Sequence, residues 1–421
     1  MKILLVNYRY FISGGPEKYM FNVKAKLEEK GHEVVPFSVR SDKNLETEYS
    51  PYFVSPIGGD DQVYFEDYKK TPKTVFQLLS RSFYSLKVKS LIKKIIRETN
   101  PDVVYILHFI NKLSPSVIKG AKEMGKRVVV RLSDYFLLCP RFDFMYESQV
   151  CEDCLTSGYM SCVKKKCVKD STMASLIRVL SMGLHRMMGV YNHVEAFVCP
   201  SAFMKNKLLE NGFPSAKVHN IITFTPDLEF NSDIIGTYGL YLGRIAIEKG
   251  VRSLIEAYSK LDSNHILYVV ADTDTPEAQE LISMVKEKQM TNIVFKGFVS
   301  GEKLHEIIRA ARFVCVPSIW YENIPNSVLE AHSAAKPVLC SNIGSMTELI
   351  SDGYNGLLFE PNNPDDIARC VRRLDDDALV LEMSRGARRS FEERYTADVH
   401  YDRLVQLLRG NNESKGENIS G

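Results

Sequence analysis

The sequence predicts an α/β fold in which two doubly wound, Rossmann-like domains follow one another and face a central cleft. The chain has 421 residues, which is more than one ordinary hydrophobic core accommodates. Short apolar runs typical of buried strands alternate with amphipathic helical patterns, and this rhythm starts again after the turn-rich residues 225–233. A ligand is therefore expected between the domains, at the carboxyl ends of the strands.

The first half begins with a strand–helix–strand unit. Residues 3–6 and 33–37 are predicted strands, with a glycine-containing loop and a helix at residues 16–30 between them. Parallel strands connected in this way need helices on both faces of the sheet. Further strands are predicted at residues 102–107, 127–131 and 196–200. Residues 41–80 follow no regular pattern.

The second half repeats this alternation of strands and helices. Strands are predicted at residues 238–243, 265–270, 292–295, 312–317 and 337–340. The helices between and after them are predicted at residues 250–261, 301–311 and 327–335. Two successive α/β domains explain both series with one architecture.

The composition excludes some functional classes. With 54 basic and 52 acidic residues, the formal net charge is +2, which argues against a nucleic-acid-binding protein driven by bulk charge. No segment approaches the roughly 18 apolar residues that span a bilayer. The N-terminal residues lack the pattern of a secretory signal, so we expect a cytoplasmic protein.

Basic residues stand where a strand of the second half leads into the next helix. Arg244 follows the strand predicted at residues 238–243, and Lys249 precedes the helix predicted to begin at residue 250. A helix N-terminus attracts anions through its dipole and unpaired N–H groups, so the two cations favour a bound diphosphate. The alternative is that both are solvated charges of an exposed loop.

Two acids, Glu322 and Glu330, have seven residues between them and flank the start of a later helix. The loop that carries Glu322 follows the strand predicted at residues 312–317, so we place it beside the cleft. Carboxylates at this separation can each accept from a pair of vicinal hydroxyls, one on a sugar and one on a ribose. Three residues are expected to turn the loop and aim its backbone donors at the ligand: Asn323, Ile324 and Pro325.

Glu330 also has a structural explanation. Ser327 and Glu330 fit the capping box, in which the glutamate side chain accepts from a backbone N–H at the helix start. The local pattern does not separate this alternative from hydroxyl binding.

Four segments in one order resemble the retaining glycosyltransferases of the GT-B fold, in particular glycosyltransferase family 4. These segments are Gly243-Arg244 with Glu248-Lys249-Gly250, Glu322-x7-Glu330, Ala331-His-Ser-Ala-Ala-Lys-Pro-Val338 and Gly353-Tyr-Asn-Gly-Leu-Leu-Phe359. The resemblance covers nearly the whole chain. It implies an acceptor-side domain at residues 1–225, a nucleotide-sugar domain at residues 226–395, a helix at residues 396–410 that crosses back, and a flexible tail at residues 411–421.

The resemblance also implies roles for the cleft residues. Arg244 and Lys249 would neutralise the donor diphosphate and the charge that grows on the leaving nucleotide. Glu330 would hold the ribose hydroxyls, and Glu322 would hold the hydroxyls of the donor sugar. The base would lie against Phe298 and Val299, among other residues of the segment 296–299. The expected donor is a UDP- or GDP-sugar, and no catalytic divalent metal is expected.

On the acceptor side, Gly14 and Gly15 lie between the first strand and the first helix, where backbone amides can approach a phosphate. The segment is not the G-x-G-x-x-G fingerprint, which counts against an NAD-dependent enzyme. A plain turn is the alternative. His108 ends a strand, and Asp134 stands at the position of an acidic residue in many relatives. Either is a candidate to orient or deprotonate the acceptor hydroxyl, with Asp134 ranked above His108.

Five cysteines cluster at about residues 139–170, and a C-x2-C pair lies among them. In a reducing compartment this spacing favours a structural Zn²⁺ held by four thiolates, although unligated thiols remain the alternative. A subset of the resembled family carries a similar insert, and the matching positions are Cys139, Cys151, Cys154 and Cys167. Cys162 is the alternate ligand.

Residues 85–97 form a basic amphipathic pattern, and Lys164–Lys166 precede a second helix predicted at residues 173–191. Either helix could rest on the inner face of a membrane or simply pack on the sheet. The expected function is transfer of a sugar to a glycan or lipid-linked acceptor in cell-surface polysaccharide synthesis. A nucleotide-sugar epimerase and a non-enzymatic scaffold on the same fold are the alternatives.

Overall fold

The computed structural model describes residues 1–58, 71–229 and 234–410. The strands of the first half are β1 (Lys2–Asn7), β2 (Glu33–Phe37), β3 (Val103–His108), β4 (Arg127–Arg131), β5 (Met145–Tyr146), β6 (Gln149–Val150), β7 (Ala196–Cys199) and β8 (Val218–Asn220). Those of the second half are β9 (Tyr238–Leu242), β10 (Leu267–Val270), β11 (Ile293–Gly297), β12 (Ala311–Val316), β13 (Val338–Ser341) and β14 (Gly356–Phe359).

The helices of the first half are α1 (Gly15–Glu29), α2 (Pro72–Phe83), α3 (Leu86–Thr99), α4 (Ser116–Glu123), α5 (Asp153–Thr156), α6 (Met160–Lys164), α7 (Thr172–Met187) and α8 (Ala202–Glu210). Those that follow are α9 (Val251–Tyr258), α10 (Pro276–Glu287), α11 (Glu302–Arg309), α12 (Asn326–Ser333), α13 (Met346–Leu349), α14 (Pro364–Arg373), α15 (Asp377–Arg394) and α16 (Ala397–Arg409). None of them, within the described ranges, is both long enough and apolar enough to cross a bilayer.

Within the described residues, two parallel sheets of six strands form the centres of two Rossmann-like domains, which confirms the predicted fold class. The strand order is β2-β1-β3-β4-β7-β8 in the first sheet and β11-β10-β9-β12-β13-β14 in the second. Connections leave in opposite directions from β1 and β3, and from β9 and β12. A crevice therefore opens at the carboxyl ends of these two strand pairs, where α/β sheets bind ligands.

The apolar strands predicted from the sequence are buried on both faces. Ile3 to Val6 of β1 have at most 1% of their surface exposed, and β12 is similarly covered from Phe313 to Cys315. Helices on each side of a parallel sheet remove both faces from water, so continuous apolar runs are stable here as strands.

The C-terminal helix α16 crosses back to the first domain, as expected. The His400 ring is hydrogen bonded to the hydroxyl of Tyr19, at 3.0 Å. Asp398 pairs with Lys26 at 3.0 Å, and Arg127 donates to a carbonyl near the end of α16. These contacts join the last helix of the chain to α1 and β4 of the first domain.

Several details differ from the sequence-based expectation. Part of residues 41–80 forms α2, and the short strands β8 and β14 were not predicted. The helix predicted at residues 173–191 ends at Met187 and is followed by a turn of 3₁₀ helix, Val190–His193, because Gly189 adopts a left-handed conformation. The predicted tail at residues 411–421 lies outside the described residues.

Candidate functional site

A cavity of about 830 Å³ lies at the carboxyl ends of the strands, and residues of both domains line it. Most of the predicted binding residues contribute to its wall: Gly14, Gly15, Arg244, Lys249, Phe298, Val299, Glu322, Ile324, Pro325 and Glu330. The sequence-based expectation that these residues converge is therefore met by the geometry. Asn323, His108 and Asp134 are not among the residues that line this cavity.

An ion pair between Lys249 and Glu322 forms the centre of the site. The Lys249 Nζ lies 2.6 Å from Glu322 Oε1, and the hydroxyl of Ser318 donates to the same oxygen at 2.7 Å. Burial acts to raise the pKa of the Glu322 carboxyl, but Lys249 and Ser318 outweigh it and hold that pKa below its usual value. Glu322 is only 5% exposed, and its contacts with Lys249 and Ser318 hold the carboxylate in a fixed orientation.

Gly250 explains how Lys249 reaches this position. Its φ is +64°, and a Cβ at residue 250 would lie 2.0 Å from the carbonyl oxygen of Pro317. The absent side chain lets the loop before α9 pass against the loop after β12. Lys249 and Glu322 are 73 positions apart in the chain and meet because of this close approach.

The backbone of Arg244 is fixed by a hydrogen bond, and Arg244 contributes to the cavity wall. The hydroxyl of Tyr241 donates to the Arg244 carbonyl at 2.5 Å. The guanidinium pairs with Glu248 at 3.0 Å, and 71% of the side chain is exposed. An exposed pair of this kind costs little to rearrange, so the guanidinium can turn towards an anion in the cavity.

Glu330 lies on α12 and reaches across the cleft. Its carboxylate accepts from Lys18 Nζ of α1 at 3.2 Å. Helix α12 begins at Asn326 after Pro325, with no side chain capping its N-terminus. The alternative that Ser327 and Glu330 form a capping box is therefore wrong, because both residues already lie inside the helix.

The glycine pair of the first domain forms the opposite wall. Gly15 begins α1, and a Cβ there would lie 3.0 Å from the side-chain nitrogen of Asn326 in the second domain. The missing side chain allows α1 and α12 to approach with their N-termini at the same cavity. Two helix N-termini at one cavity favour an anionic ligand.

Two further residues of the first domain were not singled out from the sequence. Glu17 is buried beneath the glycine loop and accepts from the hydroxyl of Ser13 at 3.0 Å, while Arg9 donates to that hydroxyl at 2.8 Å. Lys18 supplies the contact to Glu330. Their sequence positions could have indicated them, because residues in the first helical turn after a glycine loop lie close to a ligand bound by that loop.

His108 and Asp134 form a second cluster outside the cavity wall. His108 Nε2 lies 3.6 Å from Asp134 Oδ2. Burial lowers the pKa of His108 and raises the pKa of Asp134, although each attracts the charged form of the other. The pair is connected to the site because the next residue, Tyr135, donates its hydroxyl to the carbonyl of Glu322 at 3.3 Å.

Asn323 anchors the loop that carries Glu322. Its side-chain nitrogen donates to the carbonyl of Leu132 in the first domain at 3.0 Å. The residue therefore fixes the loop that carries Glu322 against the first domain, and its side chain does not point to the ligand. Ile324 and Pro325 do line the cavity, as predicted.

The predicted zinc site has no support in the arrangement of side chains. In the part of the chain that the structure describes, no three His, Cys, Asp or Glu side chains are grouped to hold a metal ion. Cys162 and Cys167 are hydrogen bonded to each other, and burial raises the pKa of Cys162 and of Cys154 to about 12.

Comparison with known proteins agrees with the geometry of the second half. Residues 236–390 match the family model described as glycosyl transferases group 1.

An uncharacterised glycosyltransferase of Methanocaldococcus jannaschii is 32% identical over 161 residues, which cover 38% of this chain and 41% of that protein. The O-antigen chain mannosyltransferase B of Escherichia coli is 33% identical over 146 residues, covering 34% of this chain and 38% of its own. The alignments with the curated relatives span about two fifths of their length.

Solved structures resemble the chain over nearly its whole length. Sucrose-phosphate synthase from Thermosynechococcus elongatus has a TM-score of 0.70 at 16% identity and covers 97% of this chain and 98% of its own. The HepE protein of Anabaena, in complex with UDP and glucose, has a TM-score of 0.63 at 14% identity and covers 97% of this chain and 100% of its own. At these identities the likeness shows the fold, which is GT-B.

Proposed function

We propose that the protein is a retaining glycosyltransferase of the family 4 type. It transfers a sugar from a nucleoside-diphosphate sugar to a glycan or lipid-linked acceptor in cell-surface polysaccharide synthesis. The observation that carries this proposal is the convergence of Arg244, Lys249, Glu322 and Glu330 on one cavity between two helix N-termini. The group 1 domain and the UDP-bound neighbour support a nucleotide-sugar donor, with UDP or GDP as its nucleotide.

In this proposal the cations bind the diphosphate. Lys249 is fixed by its contact with Glu322, and two of its three ammonium protons remain to donate to phosphate oxygens. Arg244 leaves its exposed pair with Glu248 to join them. Charge that develops on the leaving phosphate is then stabilised by groups already in place, which is the main electrostatic contribution to catalysis.

Glu322 and Glu330 position the two ends of the donor. Glu322 accepts hydrogen bonds from hydroxyls of the sugar, because an ionised carboxylate has acceptor oxygens and no donor. Glu330 exchanges its contact with Lys18 for the ribose hydroxyls. The base lies against Phe298, which is 77% exposed at the cavity wall, and against Val299.

The reaction exchanges one bond for another at the anomeric carbon. The bond from that carbon to the phosphate oxygen breaks, and a bond to the acceptor oxygen forms on the same face of the sugar. The acceptor proton passes to the leaving phosphate. Asp134, with His108 beside it, orients the acceptor hydroxyl at the first-domain side of the loop that carries Glu322.

A thermal-shift panel of UDP-, GDP- and ADP-sugars tests the donor, because a ligand that binds only the folded state raises Tm. We expect UDP- or GDP-sugars to raise Tm. We also expect NMR of the transfer product to show the same anomeric configuration as in the donor. Formation of a new sugar without any acceptor would instead support an epimerase. Binding without turnover of any kind would support the scaffold alternative.

Zinc is tested separately and does not enter the reaction. The quartet of Cys139, Cys151, Cys154 and Cys167, with Cys162 as the alternate, remains the sequence-based prediction. Elemental analysis of protein purified without chelator decides it, since about one zinc per chain would support a structural ion and a ratio near zero would remove it.

A further inference from the structure

Helix α2 of the first domain has its polar side turned inward. Thr74 and Arg81 are buried, and the Arg81 guanidinium donates to the carbonyls of Lys112 and Ser55 at 2.9 and 3.1 Å. Val75 and Phe76 point away from the domain and are 49% and 72% exposed. A helix on a protein surface usually shows the opposite distribution, with its apolar stripe facing the core.

Helix α7 shows the same inversion over a greater length. Ser175, Arg178 and other polar residues face the domain, and Arg178 donates to the carbonyl of Pro140 at 3.3 Å. Its outer side carries Met173, Leu180 and Met187, which are 65%, 54% and 80% exposed. Residues seven apart lie on the same side of a helix, so these three form one apolar row.

The exposed apolar residues of the two helices lie in one region of the first domain. Helix α2 packs against α7, and the His185 ring is hydrogen bonded to the carbonyl of Phe83, at 2.7 Å. Leu86 at the start of α3 extends the surface, and so does Met160 on α6, which also packs against α7. We call this surface the apolar face: Val75, Phe76, Leu86, Met160, Met173, Leu180 and Met187.

The concentration of these side chains is unusual. The described residues include 14 large hydrophobic side chains that are markedly exposed, and seven of them belong to the apolar face. Single exposed hydrophobic residues need no explanation, but a cluster on one side of a domain indicates an interaction surface.

Exposed basic residues lie on or beside the helices that carry the apolar face, and we call them the basic rim: Lys73, Lys87, Lys164 and Lys166. At Leu86 the face adjoins a shallow depression on α3 whose other walls include Lys94 and Arg97. The net charge of the whole chain is only +2, so this basic rim is a local feature.

We propose that the apolar face docks on a lipid bilayer whose surface is anionic, with its apolar side chains in the interface and its basic rim at the headgroups. Apolar residues on a helix side that lies flat, bordered by lysine and arginine, are the composition that binds such interfaces. A protein partner would have to match both the apolar row and the surrounding positive charge, whereas an anionic leaflet matches both with one surface.

The docked face would lie close to the acceptor-side residues. Arg178 and Arg186 on α7 donate to the carbonyls of Phe136 and Leu137, which follow Asp134 by two and three residues. A membrane under α7 therefore presents its headgroups near the proposed acceptor position. The docking itself does not depend on the proposed transfer reaction, so it can be tested without substrate.

Vesicle binding of the full chain tests the proposal. The probes are vesicles of phosphatidylcholine alone and of phosphatidylcholine with phosphatidylglycerol, measured by co-sedimentation at several salt concentrations. We expect binding to the anionic vesicles that weakens with salt. The triple variant Phe76→Ser/Leu180→Ser/Met187→Ser is expected to lower this binding at least tenfold. Lys164→Glu/Lys166→Glu is expected to lower it and to reduce the dependence on salt.

The matched control is Leu45→Ser/Ile266→Ser, which changes exposed hydrophobic residues outside the apolar face. Its binding and Tm should equal those of the unmodified chain, and the triple variant should keep the same Tm because its residues are exposed. Equal binding by the triple variant and the control would overturn the proposal. It would also be overturned if the chain ignored anionic vesicles but formed a dimer that the triple variant abolished, since a second copy would then cover the face.

Discussion

The two halves of the molecule share a sheet architecture but hold their cleft-facing groups in different ways. In the second half, Lys249 and Glu322 form a short ion pair, and this contact helps to hold the pKa of Glu322 below its usual value. In the first half, burial shifts the pKa values of His108 and Asp134 so that the neutral form of each is favoured. His108 Nε2 and Asp134 Oδ2 are 3.6 Å apart. The second half therefore suits the charged ligand proposed for it, whereas the first half keeps groups whose protonation can change.

The halves also differ in how local their sites are. The second-half site is built from loops that directly follow β9 and β12. The first-half groups depend on distant parts of the chain, because Asn323 of the second domain binds the carbonyl of Leu132 and Glu348 accepts from the backbone of Ala202 at 2.8 Å. The loop that carries Glu322 is thus a shared element, and variants on either side of it test the comparison.

The largest effect is expected from Lys249→Ala. The variant removes the cation nearest the proposed diphosphate and leaves the buried Glu322 carboxylate without its charged partner. We expect the transfer rate to fall about 10³-fold, the upper range for loss of one group that stabilises developing charge. Steady-state kinetics with the donor identified by the thermal-shift panel measures it.

Lys260→Ala is the matched control, because Lys260 forms an exposed pair with Asp365 in the same domain. Its rate should be unchanged. Full activity of Lys249→Ala would contradict the assignment of the second half as the charged side of the site.

Asp134→Asn is expected to lower kcat about 10²-fold, because the ionised Asp134 carboxylate is proposed to orient the acceptor hydroxyl. Asparagine keeps the contact to the backbone of Phe136, which Asp134 makes at 2.9 Å. Because burial raises the pKa of Asp134, the activity of the unmodified protein should rise with pH through a range above that of ordinary aspartates. This rise should be absent from the kcat profile of the variant.

Asp143→Asn is a suitable control, since Asp143 accepts in the same way from the backbone two residues later, at 3.0 Å. If both variants keep the wild-type rate and pH profile, the first half contributes only a wall to the cleft.

Stability should fall in acid through buried histidines of both halves. Burial lowers the pKa of His332, in the second domain, to about 3 and that of His400, which seats α16 on the first domain, to about 4. Below pH 6.5 the unfolded chain binds protons that the folded chain excludes, so stability present at neutral pH is lost as pH falls. Relative to neutral pH, each histidine lowers the free energy of unfolding at pH 5 by about 2 kcal/mol.

Denaturant unfolding at pH 7.5 and pH 5 measures this loss, and His332→Leu should reduce the difference between the two values. A variant that loses as much stability as the unmodified chain on acidification would show that His332 does not carry the effect.

The smallest effect is expected from the contact that spans the cleft. Glu330→Gln should weaken binding of the free nucleoside diphosphate about tenfold, because a hydrogen bond to a charged group is lost. Lys18→Ala should change it less than about fivefold, since the Lys18 side chain is 51% exposed and exposed ion pairs contribute little. Isothermal titration gives both values. A larger effect for Lys18 than for Glu330 would show that the first half, rather than the second, holds the nucleotide.

Much of the site could be predicted because its residues lie at fixed positions relative to predicted strands. Lys249 and Glu322 each follow a strand end and precede a helix, so strand patterns alone place them at the cleft. Glu17 and Lys18 could not be assigned in this way, because their roles depend on Ser13 and on Glu330 across the cleft. The side-chain contact of Asn323 could not be predicted either, because its partner, the carbonyl of Leu132, is 191 positions away.

Sequence patterns were sufficient to predict the two-domain α/β architecture and the edge of each sheet at which a ligand is expected, because apolar periodicity and loop chemistry are local properties of the chain. Packing in the folded chain sets which charges meet, how burial shifts the pKa values of the acids, and that α2 and α7 turn their apolar sides outward. Those outcomes depend on distances between residues far apart in sequence, since ion pairing and burial are set by packing.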